Sequence, residues 1–359
     1  MTARGAAGRV IGWDIGGAHV KACLLEDGRA RDAAQWPCRL WQGQDQLALA
    51  LDAAQSRWPE AFVAARRHAV TMTGEMVDLF PNRRDGVLRL VEQLATRLGR
   101  ALRLYAASRL GGAWVAGAEA AQHWQAIASA NWLASAAWAA TRVSDGVLVD
   151  IGSTTTDLMA LRQGRVAIRA FGDAQRLASG ELVYLGVVRT PLCALARQVP
   201  FDGHEVNVMN EFFATSADVY RLTAELDPAH DQQPSADNGA KTLQATRQRL
   251  ARLIGRDADE ADESQWLALA RFWREQQVEQ TAAQLARVIQ AHRVPQQAAL
   301  VATGCGAFLV ADLARRCGRP LRRFDDTVPL APDAPAALPG WLSVCAPAAA
   351  VALLAHADA

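Results

Sequence analysis

The chain contains a strand, a glycine turn and a second strand that recur after 136 residues, and this repeat restricts the fold more than any other feature. The first copy is an apolar run over residues 10–15 that ends in DIGG, followed by a second apolar run over residues 20–25. We expect two similar α/β domains whose glycine hairpins face each other across a cleft. The identical pairs are Asp14 and Asp150, Ile15 and Ile151, Gly16 and Gly152, Leu25 and Leu161, Gly28 and Gly164, and Arg29 and Arg165.

In both copies the glycines precede a strand rather than a helix. A dinucleotide-binding fold and a Walker-type phosphate loop both need glycines that open a helix, so the pattern excludes these two folds. It predicts β-hairpins instead. In the second copy, a third strand is predicted over residues 166–171, after the turn at Gly164.

A third glycine turn, Gly304-Cys305-Gly306, lies between a predicted buried strand over residues 298–303 and a predicted helix over residues 307–317. Glycines before a helix let backbone N–H groups approach a phosphate, and the helix dipole favours the same anion. We therefore expect this turn to bind phosphate.

The length of 359 residues exceeds one ordinary domain and predicts two. We assign residues 1–140 to the first domain, residues 141–345 to the second, with a helical insertion, and residues 346–359 to a C-terminal helix that packs back on the first. Residues 227–238, with two prolines and many polar side chains, are predicted to form an exposed loop. Helices are predicted over residues 46–65, 87–98, 118–140, 242–253, 263–291 and 347–356.

Composition excludes several classes of partner. The 38 basic and 37 acidic residues nearly cancel, which argues against nucleic acid or an anionic membrane as the main partner. The longest apolar stretch, residues 344–355, is too short to span a bilayer and contains a proline. Six scattered cysteines without metal-ligand spacing, and an N-terminus without a signal-peptide pattern, predict a cytoplasmic protein.

The two Asp-x-Gly hairpins and the late strand–glycine–helix turn together resemble the actin, sugar-kinase and chaperone ATPase superfamily. Longer strings are similar to hydantoinase/oxoprolinase-related proteins of tetrahydromethanopterin-linked one-carbon metabolism. The resemblance implies an α/β, actin-like ATPase fold with two duplicated ribonuclease-H-like domains. The strings are GWDIGGAHVK, TMTGEMVDLF, DIGSTTTD, YLGVVRTPLCAL, EFFATSADVYRLTAEL, ADNGAKT with RLARLIGRDA, and ATGCGAFL.

The same resemblance implies a reaction. The family includes an enzyme of methanofuran biosynthesis that joins an aminomethylfuran methyl diphosphate to the phenol of tyramine. This implies an ether-forming, Mg²⁺-dependent transferase that releases pyrophosphate, with tyramine or tyrosine as the acceptor. The alternatives are an ATP-dependent kinase or hydrolase and a non-catalytic nucleotide-sensing protein, so a bound nucleotide and a homo-oligomer are left open. His19 stands where the phosphotransferases of the superfamily carry a hydroxyl, which disfavours kinase chemistry.

Expulsion of a diphosphate requires its negative charge to be neutralised as the C–O bond breaks. Mg²⁺ prefers carboxylates and retained waters, and the predicted ligands are Asp14, Asp150 and Asp157. Lys21, one of only two lysines in the chain, is predicted to add a point charge from the same strand face as His19. Phosphate donors are predicted at Gly16, Gly17, Gly152, Ser153, Thr154, Thr155, Gly304 and Gly306.

The acceptor phenol has a reference pKa near 10, so a base or a cation must favour the phenolate. Glu75 or Asp78 is the candidate base, and we expect Lys21, Glu75 and Asp150 to be the catalytic residues. Substrate ammonium groups need carboxylate partners, and an arginine can fork onto a diphosphate or a carboxylate. The candidate substrate contacts are Asp78, Arg189, Asp218, Asp237 and Lys241.

Overall fold

The computed structural model describes residues 8–108 and 112–358, and its contacts divide the chain into two compact units, both discontinuous in sequence. The predicted domain boundaries and the predicted cleft stay predictions. Residues 1–7 and 359, which belong to the predicted first domain and C-terminal helix, lie outside the described residues. Unit 1 consists of residues 1–148, 159–175 and 322–359, and unit 2 of residues 149–158 and 176–321.

The first sheet consists of an antiparallel meander, two parallel strands and an antiparallel edge strand. It consists of β1 (Arg9–Ile15), β2 (His19–Glu26), β3 (Arg29–Pro37), β4 (Arg67–Met72), β5 (Leu102–Ala106) and β6 (Ala113–Ala116). The strand order is β3-β2-β1-β4-β5-β6, with β4 parallel to β1 and β5 parallel to β4. This is a ribonuclease-H-like order, and it places the apolar β1 in the middle of the sheet, where nearly all its residues are buried.

The second sheet repeats this order. It consists of β7 (Gly146–Ile151), β8 (Thr156–Arg162), β9 (Arg165–Val166), β10 (Leu182–Val183), β13 (Ala299–Thr303) and β14 (Leu321–Arg323), arranged β10-β8-β7-β13-β14, with β9 also pairing with β8. A separate hairpin is formed by β11 (Gln198–Phe201) and β12 (His204–Asn207). The predicted third strand over residues 166–171 is wrong beyond Val166, because β10 takes the edge beside the start of β8.

The turns after the second strand of each copy confirm the duplication. Asp27 and Gly28 have φ values of 50° and 75°, and Gln163 and Gly164 have φ values of 52° and 72°. Two consecutive residues with positive φ form the tight turn whose twist suits a β-hairpin. The α/β class and the duplicated sheets predicted from the sequence are therefore confirmed.

Most predicted helices are present, but two of them are divided. The predicted helix over residues 46–65 breaks at Pro59, which has no N–H to donate, and the one over residues 118–140 breaks at Ser129, whose φ is 51°. The helices are α1 (Asp45–Arg57), α2 (Pro59–Ala64), α3 (Arg83–Leu98), α4 (Ala120–Ile127), α5 (Asn131–Ala140), α6 (Asp173–Ser179), α7 (Ser216–Leu222), α8 (Leu243–Leu253), α9 (Glu263–Ala291), α10 (Val310–Cys317), α11 (Leu338–Val344) and α12 (Ala346–Ala357).

Two further predictions from the sequence concern an exposed loop and a membrane-spanning helix. The predicted exposed loop over residues 227–238 is partly wrong, because Asp231, Gln233 and Ser235 are buried. Within the described chain, no single helix is long and apolar enough to cross a membrane, although the bent pair α11 and α12 meets the length and composition together.

The first sheet packs on both of its faces. On one face, Trp13 packs edge-on against Phe62 and donates through Nε1 to Nδ1 of His68 at 3.2 Å, while Nε2 of His68 lies 3.1 Å from the Phe62 carbonyl oxygen. Burial lowers the pKa of His68 to about 4. His68 is therefore neutral near pH 7, with Nδ1 accepting and Nε2 donating.

On the other face, α12 lies directly on β1 at Gly12. A Cβ atom on Gly12 would lie 2.0 Å from the Ala348 carbonyl oxygen and 2.8 Å from Cβ of Ala352. The glycine is therefore required by the close approach of helix and strand.

We expect Gly12→Ala to lower the free energy of unfolding by about 1–3 kcal/mol, because the added methyl overpacks the contact with α12. The matched control is Gly340→Ala in α11, where a Cβ would meet nothing within 4 Å. Urea unfolding of both variants measures the difference. Equal stability of the two variants would contradict the close packing of α12 on β1.

Candidate functional site

Each copy of the repeat ends its first strand in the same hydrogen-bonded turn. In unit 1, the Gly16 N–H donates to the His19 carbonyl oxygen at 2.9 Å, and in unit 2 the Gly152 N–H donates to the Thr155 carbonyl oxygen at 2.8 Å. This bond closes the hairpin and leaves the two intervening residues as a short loop. Both turns therefore place a two-residue loop at the end of a strand that carries an aspartate.

The strand next to β1 and the strand next to β7 also end in equivalent turns. After β4, the Thr73 N–H donates to the Ile15 carbonyl oxygen at 2.9 Å, and after β13 the Gly306 N–H donates to the Ile151 carbonyl oxygen at 2.8 Å. A 3₁₀ turn follows at both places. The turn that begins at Thr73 is thus the unit 1 counterpart of the Gly304 turn, a relationship that we did not predict because the two segments share only the short string Thr-Gly.

In unit 2, the Asp150 carboxylate lies close against Gly304. A Cβ atom on Gly304 would lie 2.2 Å from the Ile151 carbonyl oxygen and 2.5 Å from Oδ1 of Asp150, and the φ of Gly304 is +87°. Only glycine fits this backbone and this close approach. The predicted phosphate turn is therefore in direct contact with the predicted metal ligand Asp150.

A second segment of unit 2 closes over the Ser153-Thr154 loop. Backbone N–H groups of Val188 and Arg189 both donate to the Ser153 carbonyl oxygen, at 3.1 and 2.8 Å. A Cβ atom on Gly186 would lie 2.4 Å from the Thr154 nitrogen. The exposed Arg189 guanidinium also donates to Oγ1 of Thr154 at 3.4 Å, so the structure brings this predicted substrate contact to the second hairpin turn.

A row of polar residues crosses the first sheet at the level of Asp14. Asp14 pairs with Lys21 on β2 and with Thr71 on β4, and Lys21 pairs with Gln35 on β3. Paired residues project from the same face, which here is the face of Gly12 and α12. Asp14, Thr71 and Gln35 are buried, whereas Lys21 is half-buried.

Cys345, just before α12, lies close to this row. Burial raises the pKa of Cys345 to about 12, while the nearby charge of Lys21 lowers it and that of Asp14 raises it. Lys21 and Asp14 are thus near one another and near the first residues of α12. The predicted point charge stands beside the predicted metal ligand within unit 1.

The third predicted metal ligand, Asp157, is engaged by a cation. Its Oδ1 lies 2.8 Å from Nη2 of Arg176, a buried side chain that also donates to the Glu181 carbonyl oxygen at 3.1 Å. Oε1 of the Glu181 side chain lies 2.7 Å from Nε2 of His292. A metal at Asp157 would have to share that carboxylate with Arg176.

No group of three or more His, Cys, Asp or Glu side chains is arranged to hold a metal ion within residues 8–108 and 112–358. Mg²⁺ commonly takes only one or two carboxylates from a protein and completes its shell with waters and substrate phosphate oxygens. Asp14 and Asp150 each supply a carboxylate next to a glycine turn. Within either unit, a single carboxylate beside a glycine turn fits an ion that binds together with a phosphate group.

Glu75 is held in the 3₁₀ turn Gly74–Met76 and is only 1% exposed. Its Oε1 lies 2.8 Å from the Ser129 hydroxyl. Burial raises the pKa of Glu75 above its ordinary value, and the Ser129 hydrogen bond opposes this shift. A raised pKa brings a carboxyl group closer to the range of a general acid or base at neutral pH. Asp78, the other candidate base, is exposed.

Three predicted substrate contacts lie in an ion network of unit 2 instead of at the glycine turns. Asp218 is fully buried, and its Oδ1 accepts from Arg221 at 2.6 Å and from Arg249 at 2.8 Å. Nζ of Lys241 donates to Oδ1 of Asp231 at 2.9 Å. Substrate roles for Asp218 and Lys241 stay predictions that would require this network to open. Asp237 belongs to the same network and pairs with Arg249.

Two glycines of unit 2 allow the geometry of the turns to be tested separately. A Cβ atom on Gly152 would meet only the Thr155 carbonyl oxygen, at an ordinary 3.4 Å, whereas one on Gly304 meets backbone at 2.2 Å. We expect Gly304→Ala to lower the free energy of unfolding by about 1–3 kcal/mol and Gly152→Ala to change it by less than about 0.5 kcal/mol. Thermal unfolding measures both, and the reverse ranking would contradict the described turns.

Comparison of the structure with solved structures gives low-identity matches over most of the chain. Nucleotide-free acetone carboxylase has a TM-score of 0.50 at 10% identity, covering 85% of this chain and 66% of that one. At this low identity, the similarity concerns the fold alone. Component A of the (R)-2-hydroxyglutaryl-CoA dehydratase from Acidaminococcus fermentans has a TM-score of 0.47 at 11% identity, over 98% of this chain and 99% of that one.

Sequence relatives are more informative. The chain is 26% identical over 252 residues, 70% of its length and 72% of the relative's, to a Methanocaldococcus jannaschii protein named (4-{4-[2-(gamma-L-glutamylamino)ethyl]phenoxymethyl}furan-2-yl)methanamine synthase. The Methanococcus vannielii protein of the same name is 41% identical over 73 residues, 20% of this chain and 32% of that one. These names indicate an enzyme. The family described as hydantoinase/oxoprolinase matches residues 66–321, and the chain belongs to this family.

Proposed function

We propose that this enzyme transfers an aminomethylfuranylmethyl group from its diphosphate to the oxygen of a tyramine-like phenol and releases pyrophosphate. The name of the relatives' product describes a phenol joined through a CH₂–O ether to a furan that carries an aminomethyl group. The name also places a γ-glutamyl group on the amine. We therefore include γ-glutamyltyramine with tyramine and tyrosine as candidate acceptors.

The observation that carries this proposal is the pair of equivalent glycine turns in a chain with such relatives. In the proposed step, the phenol oxygen forms a bond to the furfuryl methylene carbon while the bond from that carbon to the diphosphate oxygen breaks. The electron pair leaves with the diphosphate, and the phenol proton goes to a base. A furfuryl cation is stabilised by resonance, so the transition state depends mainly on how well the leaving charge is neutralised.

Residues beside the glycine turns are proposed to neutralise that charge. Asp14 and Asp150 are each proposed as a Mg²⁺ ligand, and the ion when bound would supply positive charge to the diphosphate oxygens. Lys21, beside Asp14 in the sheet, adds a compact ammonium. The proposed N–H and hydroxyl donors are Gly17, Ser153, Thr154, Thr155 and Gly304. The N–H groups of Gly16, Gly152 and Gly306 already donate to carbonyl oxygens within the turns, so we propose that these glycines shape the turns around the phosphate.

The remaining roles concern the acceptor. We propose that Glu75 takes the phenol proton, since its raised pKa makes it a stronger base than an exposed carboxylate. The exposed Arg189 is placed beside Thr154, where it fits a diphosphate or an acceptor carboxylate. The exposed Asp78 fits a substrate ammonium group. Asp218 and Lys241 have the weakest support, because other side chains already engage them.

The direct test incubates the enzyme with the furan diphosphate, Mg²⁺ and each phenol, and measures ether mass and pyrophosphate. We expect ether without ATP, and at least a roughly hundredfold lower rate for Asp150→Asn. The matched control is Asp202→Asn, at an exposed turn of unit 2 whose φ of 51° asparagine tolerates. ATP consumption without ether would contradict the transferase and favour the kinase or hydrolase alternative.

A second prediction concerns Lys21. We expect Lys21→Arg to lower turnover while thermal stability stays near that of the natural protein, because the half-buried position beside Asp14 suits a compact ammonium better than a planar guanidinium. Steady-state kinetics and thermal unfolding measure the two effects. Unchanged kinetics would contradict a role of Lys21 in turnover and leave it only a structural role in the sheet.

A further inference from the structure

Four polar side chains of unit 1 form a continuous hydrogen-bonded chain, which we call the Glu75 chain: Glu75, Ser129, Asp173 and the half-buried Arg83. The Ser129 Oγ lies 2.8 Å from Oε1 of Glu75 and 3.2 Å from Oδ2 of Asp173. Nη2 of Arg83 donates to the same Oδ2 of Asp173 at 2.6 Å. Glu75, Ser129 and Asp173 are all buried, at 1%, 6% and 9% exposure.

The backbone is shaped to make this chain. Ser129 interrupts the predicted long helix with a φ of 51°, a conformation that L side chains rarely adopt. A Cβ atom on Gly86 of α3 would lie 2.4 Å from the Glu75 carbonyl oxygen, so only glycine lets α3 pack against Glu75. Strained and close-packed backbone of this kind is found where a specific side-chain position is required.

A count of protons indicates that Glu75 and Asp173 share one carboxyl proton, and the ion pair with Arg83 favours Asp173 as the ionised partner. The Ser129 hydroxyl has one proton, yet two carboxyl oxygens lie within hydrogen-bonding distance of it. If Glu75 and Asp173 are both ionised, Ser129 can donate to only one of them. At the other contact, a lone pair of the hydroxyl oxygen then faces a lone pair of the carboxylate, which is repulsive. If Glu75 carries a proton on Oε1, every contact is matched: Glu75 donates to Ser129, Ser129 donates to Asp173, and Arg83 donates to Asp173.

The second carboxyl oxygen of Glu75, Oε2, also indicates that Glu75 is protonated. Oε2 is buried and has no hydrogen-bond partner among the described residues. A buried ionised carboxylate with an unmatched oxygen is far less stable than the neutral acid. The charged groups that act on Glu75 oppose each other, since Asp173 raises its pKa and Arg83 lowers it, and burial is the larger effect.

We propose that Glu75 is a neutral carboxylic acid at pH 7 and that Ser129 and Asp173 form the route through which it exchanges its proton. The use of this route rests on the function proposed above. When the buried Oε2 of Glu75 becomes accessible and takes the phenol proton, the proton on Oε1 passes to the Ser129 oxygen, and the Ser129 proton passes to Asp173. No charge accumulates on Glu75 or Ser129. Arg83 stays paired with Asp173 and holds it in line with Ser129.

The proton on Glu75 can be measured without any substrate. We expect the infrared spectrum of the full-length protein at pH 7 to contain the C=O stretch of a protonated carboxylic acid, and Glu75→Gln to remove it. The matched control is Glu92→Gln, an exposed carboxylate on α3, which should leave the band in place. The absence of the band from the natural protein, or its survival in Glu75→Gln, would overturn the proposal.

The route is tested with Ser129→Gly, which removes the hydroxyl and suits a φ of 51° without strain. We expect turnover to fall roughly hundredfold with KM unchanged. Glu75 must then lose its own proton before it can act as a base, so the acid limb of the pH–rate profile should move to higher pH. A rate or an acid limb equal to that of the natural protein would overturn the route.

The transferase proposal and the proposal of a protonated Glu75 can be contradicted independently of one another. If the natural protein makes no ether, the transferase function fails, and the infrared band still decides whether Glu75 is protonated. If ether forms and the band is absent, the transferase stands and the proton chain is wrong.

Discussion

The hydrogen bond from a neighbouring turn to the last carbonyl of each central strand is the contact on which the rest of the site depends. The Thr73 N–H makes it to Ile15 in unit 1, and the Gly306 N–H makes it to Ile151 in unit 2. It fixes the end of one strand against the end of the next, so that a glycine hairpin and a glycine-containing turn meet at the same edge of the sheet. Buried backbone groups must be paired with a hydrogen-bond partner, and both copies of the repeat pair this carbonyl oxygen with an N–H group of the neighbouring turn.

The proposed function assigns charge neutralisation and proton transfer to different parts of unit 1. The polar row of Gln35, Lys21, Asp14 and Thr71 lies on the α12 face of the sheet, where a cation stands beside a carboxylate. The Glu75 chain instead follows the end of β4 and packs against α3. Neutralising a leaving group calls for fixed charges, whereas taking up a proton calls for a group that can be neutral. Because the polar row and the Glu75 chain lie at separate positions, unit 1 can hold both the fixed charges and the group that can be neutral.

The sequence was sufficient for much of the fold, and local physical reasons explain what it left out. The hairpins were predictable because their apolar runs and glycine turns are local, and the predicted helix over residues 263–291 matches the bounds of α9. The break at Ser129 was not, because alanine-rich sequence on both sides favours helix and only tertiary contacts to Glu75 and Asp173 require the kink. The turn at Thr73 was not predicted as a counterpart of Gly304, since the two segments share only the short string Thr-Gly and the rest of their likeness lies in backbone hydrogen bonds.

The central claim is that the strand-end glycine turns bind the phosphate groups of the substrate. Calorimetric titration with inorganic pyrophosphate and Mg²⁺ tests it most directly, comparing the natural protein with Gly152→Ala. A methyl at Gly152 has no packing clash and would meet only the Thr155 carbonyl oxygen at 3.4 Å. The account predicts binding by the natural protein and a roughly tenfold or greater loss of affinity in the variant, with unchanged thermal stability. Equal affinity in both proteins would contradict it.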